Sequence, residues 1–186
     1  MIPAEMLTHE FLGYARDKLS QSLGQVVRCL RLLSSEEVWH RTNGHTNSVG
    51  NLVLHLTGNV RQWIVAGLGG QPFTRDRPAE FAQRGPVPTS EIVDNLERTV
   101  QQAVDVLQHL DSEALAARLN VQGYDVSALV AVFHVVEHFS AHTAQIVHMT
   151  KALKDVDLSL YDEHGRRLAG KSPTAGTEPG RYTPAS

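Results

Sequence analysis

From about Asp125 or Ser127 to about Lys154 the apolar residues recur at helical spacing around most of the helix circumference. One lane interrupts them. It holds His134, His138 and His142, four residues apart in Phe133-His134-Val135-Val136-Glu137-His138-Phe139-Ser140-Ala141-His142-Thr143-Ala144-Gln145. At 3.6 residues per turn, positions four apart lie one above the other. A helix apolar over most of its surface is expected to be the most buried of its domain. Imidazole is costly to bury without a partner and, when neutral, is the commonest metal ligand. The lane therefore reads as one wall of a metal site, and Gln145, between His134 and His138 in azimuth, belongs to it.

Three further helical patterns precede this one. The first runs from about Glu5 to Leu33 on Leu7, Phe11, Tyr14, Leu19, Leu23, Val26, Leu30 and Leu33. Ser34-Ser35-Glu36-Glu37 then reads as a capping box opening a short helical turn through Trp39. The second begins after Asn47 or Ser48 and ends at Gly69-Gly70, with Val49, Leu52, Val53, Leu56, Val60, Trp63 and Ile64 as its apolar stripe. The third follows Pro88-Thr89-Ser90 on Val93, Leu96, Val100, Val104 and Leu107. No segment reads as a convincing sheet. Four helices of about 20–28 residues, each about 30–40 Å long, predict an all-α four-helix bundle. The connector from Gly70 to Pro88 is far longer than an antiparallel neighbour needs, so it can run the length of the bundle and leave the second and third helices parallel.

The bundle is expected to fill residues 1–158. A small hairpin around His164-Gly165 and a tail rich in Pro, Gly, Thr and Ser are expected in 159–186. A chain of 186 residues is long enough for one well-cored domain, and a formal charge of -3 gives no reason to expect nucleic acid or an acidic membrane as partner. No apolar run is long enough to span a bilayer, and the amino terminus lacks a secretory pattern. The single cysteine, Cys29, excludes an intramolecular disulfide and a cysteine-based zinc site. It sits on a helical pattern as a buried, inert thiol, which fits a reducing cytoplasm. The unusual number is 10 His. His9, His40, His45, His109 and His164 read as surface or cap residues, and His148, about 120° from His142, as solvent-facing.

Catalytic zinc-type sites take three protein ligands and leave a position open. The lane contains two overlapping pairs. His134 and His138 enclose Glu137 as H-x-x-E-H, the inverted zinc-peptidase pattern, in which Glu137 is the base. That pattern needs a downstream carboxylate, and the glutamates that follow are Glu163 and Glu178, both in the weakly patterned end. His138 and His142 form the other pair, with Gln145 one turn on and His134 one turn before. The best candidate for a third ligand is His55, about 100° from the centre of the second helix's apolar stripe. Asn51, Asn59 and Gln62 share that flank. A polar lane beside a core stripe either faces an inter-helix cleft, where bundles build metal sites, or forms a solvated rim.

Asn47-Ser48-Val49-Gly50-Asn51-Leu52-Val53-Leu54-His55-Leu56, followed by His138-x3-His142-Thr143-Ala144-Gln145, resembles the DinB/YfiT-like superfamily of metal-binding four-helix bundles. The likeness spans roughly Leu7 to Lys154. It implies His55, His138 and His142 as ligands, parallel second and third helices, and a homodimeric habit. Ala144 stands where the superfamily pattern commonly has Gly. Arg75-Asp76-Arg77-Pro78-Ala79-Glu80-Phe81 resembles a loop of an uncharacterised branch of that superfamily. Relatives include thiol-dependent transferases and isomerases working with bacillithiol or mycothiol. The resemblance thus implies a metal-dependent thiol transferase or hydrolase acting on a small molecule; a non-catalytic metal-binding or dimerisation module is the alternative.

Three neutral imidazoles leave the charge of a divalent metal uncompensated, which acidifies a bound water or thiol. They suit Zn, Ni, Cu or Fe, with Zn or Ni foremost. No Asp or Glu shares the lane of His138 and His142, so metal-bound hydroxide or His134 is the better base candidate; His134 reads equally as a helper behind the ligands or as a buried His hydrogen-bonded to backbone. Asn51, Asn59, Gln145 and Glu137 are expected around the site or the substrate. Arg75, Arg77 and Arg84 either hold the carboxylates of a thiol cofactor or, the preferred expectation, pair with Asp76 and Glu80 as a solvated surface loop. Trp39 and Trp63 are expected as core or rim packing.

Overall fold

Ser127 accepts a hydrogen bond from Val130 N and so caps the last of the sequence patterns as α7, Ala128–Lys154. The computed structural model describes residues 3–158, 160, 162 and 164. The other long elements are α1 (Ala4–Leu32), α3 (Val49–Val60) and α5 (Thr89–Gln108). Short helices stand between them: α2 (Ser35–Trp39), α4 (Arg77–Ala82) and α6 (Ser112–Ala116). The capping box read at Ser34 is present, with Ser34 and Glu37 each satisfying the other's backbone N–H. Ser48 and Asn51 do the same at the start of α3. Beyond Val60 that helix continues as a π-helical segment, Arg61–Ala66, and the chain turns away at Gly70 with φ +68°. Single π turns recur at functional sites.

α1 lies against α5 and α7, while α3 lies against α5, α7, α2 and α4. Leu19, Leu30, Leu56, Ile64, Leu96, Leu107, Phe139 and Ile146, drawn from all four long elements, form the centre of the core. Trp39 joins the beginnings of α3 and α5: its ring lies against Gly50, and its Nε1 donates to Val87 O at 3.4 Å. At the far end Gly69 meets Val106. With beginnings together and ends together, the second and third long helices run in the same direction.

Three expectations need correction. The most buried helix is α3, in which every residue except Leu54 is buried. α7 buries one stripe, Ala131, Val132, Val135, Phe139, Thr143, Ile146 and Thr150 among it, and leaves Leu129, Val130 and Phe133 exposed. α3 is covered from more directions, so its flanking lane of Asn51, His55 and Asn59 is interior and not a solvated rim. Secondly, a two-stranded antiparallel hairpin exists, β1 (Arg118–Val121) with β2 (Tyr124–Ser127), Val121 opposite Tyr124. Gln122 and Gly123 both have positive φ, as a type I′ turn demands. Thirdly, the Gly70–Pro88 connector carries α4 and packs it on α3. The hairpin expected around His164-Gly165 and the tail lie outside the described residues.

Candidate metal centre

His55 comes from the middle of α3, and His138 and His142 from successive turns of α7. One ring nitrogen from each lies within 4.8 Å of the others. His55 Nε2 and His138 Nε2 are 3.0 Å apart, and the His138 and His142 rings meet edge-on with centroids 4.5 Å apart. Helical register brings the α7 pair together. The packing of α3 on α7 supplies the third ring.

What lies behind each ring decides which nitrogen faces the cluster. Glu80 Oε2 accepts from His55 Nδ1 at 2.8 Å, leaving the Nε2 lone pair pointing inward. Gln145 Oε1 accepts from His142 Nδ1 at 2.7 Å, with the same result. Among the described residues His138 Nδ1 has no partner, so this ring presents Nε2 without an orienting bond from them. Burial first, then the neighbouring His142, His55, His134 and Arg75, push the His138 pKa down to about 3. Burial lowers that of His142 too, against an opposing contribution from its bond to Gln145. Near neutral pH both imidazoles are unprotonated, the form that binds metal. Three imidazole nitrogens converging within 4.8 Å of one another fit a divalent transition metal.

Glu80 belongs to α4, and its carboxylate is shared. Arg75 Nε donates to Oε1 at 2.6 Å and Nη2 to Oε2 at 2.8 Å, while Nη1 donates to Gln62 Oε1 at 3.1 Å. Nη2 also lies 3.0 Å from His55 Nδ1, a proximity and not a bond when that nitrogen gives its proton to Glu80. Burial alone would raise the Glu80 pKa; the hydrogen bonds from Arg75 and His55 outweigh it and hold the carboxyl below its ordinary value. The pair is far from a solvated loop, with Arg75 and Glu80 side chains 3% and 11% exposed. That corrects the expected surface pairing. Asp76 instead caps α4 by accepting from Ala79 N at 3.0 Å, Arg77 lies over the Phe81 ring, and Arg84 donates to Phe81 O and Gln83 O.

The remaining expected residues sit outside the cluster. His134 is one turn from His138, with its ring 4.3 Å from that of Trp63 and its Nε2 3.5 Å from Asn59 Nδ2. Burial lowers its pKa, and Glu137 partly opposes this. Asn59 Oδ1 and Trp63 Nε1 are buried without partners among the described residues. Asn51 donates to Glu80 O and Gln83 O, each at 2.9 Å, and so fastens the connector to α3. Glu137 and His148 are exposed. Trp63 is core and Trp39 is rim packing. His9, His40, His45, His109 and His164 are exposed, and His109 Nδ1 bonds Asp105 O at the end of α5.

A family model described as a protein of unknown function (DUF1572) matches residues 6–161. The chain belongs to the DUF1572 family. Two solved structures share this fold. A DinB-like protein from Bacillus cereus is similar at a TM-score of 0.55 and 17% identity, over 71% of this chain and 85% of its own. A conserved protein from Enterococcus faecalis is similar at 0.55 and 16% identity, over 81% of this chain and 97% of its own. At such identities the likeness speaks for the fold. No functionally curated protein matches the sequence. Among the described residues of the DUF1572 chain, no helix is long and apolar enough to cross a membrane.

Proposed function

We propose that this DUF1572 protein is a divalent-metal-dependent enzyme, an S-transferase or hydrolase, that holds its metal on His55, His138 and His142 and acts on a small molecule. The observation that carries the reading is the convergence of three ring nitrogens within 4.8 Å, two of the rings already oriented by Glu80 and Gln145. Bound there, the cation supplies positive charge that makes an approaching thiol or water more acidic. His134, kept neutral by burial and packed on the Trp63 ring beside Asn59, takes the proton at Nε2. It then returns the proton to the leaving group as the nucleophile adds. Zn and Ni suit the donor set best, and a homodimer in the cytoplasm is the assembly and setting proposed.

One observation favours a second reading, a metal-binding module without catalysis. The carboxylate beside the cluster, Glu80, is fully engaged by Arg75 and His55 and is not available as a base. Metal analysis of the purified protein, followed by a screen of the loaded protein for thiol transfer with bacillithiol, mycothiol and glutathione and for hydrolysis, separates the two. Full metal occupancy retained by both His55→Ala and His142→Ala would remove the site; a bound metal with no turnover on any substrate class would leave the module.

A further inference from the structure

We infer that Glu80, clamped by Arg75, is the positioning residue for His55, and that through this pair the docking of the connector, residues 71–88, is coupled to metal occupancy. This rests on the metal-site reading above. A histidine ligand that gives its second N–H to a carboxylate is fixed in tautomer and orientation and is a stronger donor. Here that carboxylate does not come from the framework of long helices. It comes from α4, a helix of 6 residues with none of them buried. What α4 turns toward α3 converges on one residue: Glu80 bonds His55 Nδ1, and the Phe81 ring lies 4.6 Å from the His55 ring.

Gly58 leaves the space that lets Arg75 and Glu80 lie flat on α3. Arg75 meets both carboxylate oxygens, so Glu80 is held in one place before any metal arrives. A short helix with no fully buried residue, attached chiefly through the Glu80 side chain and the Asn51 bonds, belongs to the part of a protein that opens most readily. Coupling is reciprocal: if docking strengthens metal binding by some factor, metal binding strengthens docking by the same factor. Zinc bound at the three histidines would therefore hold the already docked connector more firmly on His55.

The test uses the full chain. Zinc affinity is measured by competition with a chromophoric chelator for the unaltered protein, Glu80→Gln and the double variant Arg75→Met/Glu80→Gln. Hydrogen exchange of the peptide covering α4 is followed with and without zinc. The double variant removes both buried charges together, so it folds where Glu80→Gln alone strands Arg75. Expected are affinities about 10–100-fold weaker in both variants, zinc-slowed exchange of α4 in the unaltered protein, and loss of that slowing in the variants. Variants that bind zinc as tightly as the unaltered protein would overturn the inference, even with a lowered metal-free Tm, because Glu80 would then be structural only. So would α4 exchange that ignores zinc. Absence of zinc binding by the unaltered protein is a separate result: it removes the metal reading itself and the inference with it.

Discussion

Gly58 and Glu80 compete for the same volume: a β-carbon on Gly58 would stand 2.0 Å from Glu80 Oε1 and 2.8 Å from Arg75 Nε. Glycine inside a helix costs about 0.8–1 kcal/mol relative to alanine. Displacing the carboxylate from Arg75 and His55 costs more, since hydrogen bonds to charged groups contribute about 1.5–3 kcal/mol each. Gly58→Ala should therefore lower stability by about 1–2 kcal/mol despite the better helix former, and weaken zinc binding with it. Chemical denaturation and chelator competition check the two effects; a variant more stable than the parent would mean that the pair relocates freely.

The neighbouring ring should behave differently from the cluster. His134 lies outside the set of three and touches Trp63 and Asn59. His134→Gln should keep metal content at the parent level and depress turnover by about 10²–10⁴-fold, the usual contribution of a general acid–base group. Metal analysis alongside kinetics of any activity found decides it. Loss of the metal in this variant would make His134 a ligand and redraw the centre.

Acid should destabilise the metal-free protein. The His138 pKa is about 3 in the folded chain, against an ordinary value of about 6.5 for an unfolded one. Between those values the unfolded chain carries a proton that the folded chain refuses, so stability falls as pH drops through about 6.5 toward 3. His134 and His142, also lowered, act with the same sign. Glu80, held below its ordinary value, adds a further loss at more acidic pH, as the folded carboxylate is forced to protonate. Thermal melts in chelator should fall by several degrees from pH 7.5 to pH 5 and change little above pH 7.5. A flat profile across that interval would show that the rings are solvated in the folded state.

Phe139 anchors the ligand-bearing helix from its other side, 1% exposed between His138 and Ser140. Phe139→Ala should cost about 3–5 kcal/mol, seen as a shift of the denaturation midpoint. Because α7 sets the His138–His142 spacing on its own, any variant molecules still folded should retain zinc binding within a few-fold.

The long helices were legible because each repeats apolar residues over many turns and two start with side-chain caps, Ser48 with a reciprocating partner and Ser127. His138 and His142 were legible for the same reason, as register alone puts them on one face. The hairpin was not. Its strands are 4 residues each, too short for alternation at Leu119, Val121, Tyr124 and Val126 to stand out, although the Gln122-Gly123 turn was a usable signal. Glu80 and Arg75 were misplaced because charge in a connector ordinarily means solvent. Two local signs pointed the other way: Asp76 with Pro78 as a helix start, and Gly58 within an otherwise well-filled helix. How much each helix is covered is a tertiary property, and apolar content alone ranked α7 above α3 wrongly.

Gln122 stands on the exposed hairpin turn and donates to Gln62 Oε1 at 2.6 Å, the oxygen that also receives Arg75. From there the contacts run through Glu80 to His55. A residue at the surface thus has a polar line to an interior donor atom without touching it. Sequence drift at this turn can retune the centre while every ligand stays the same.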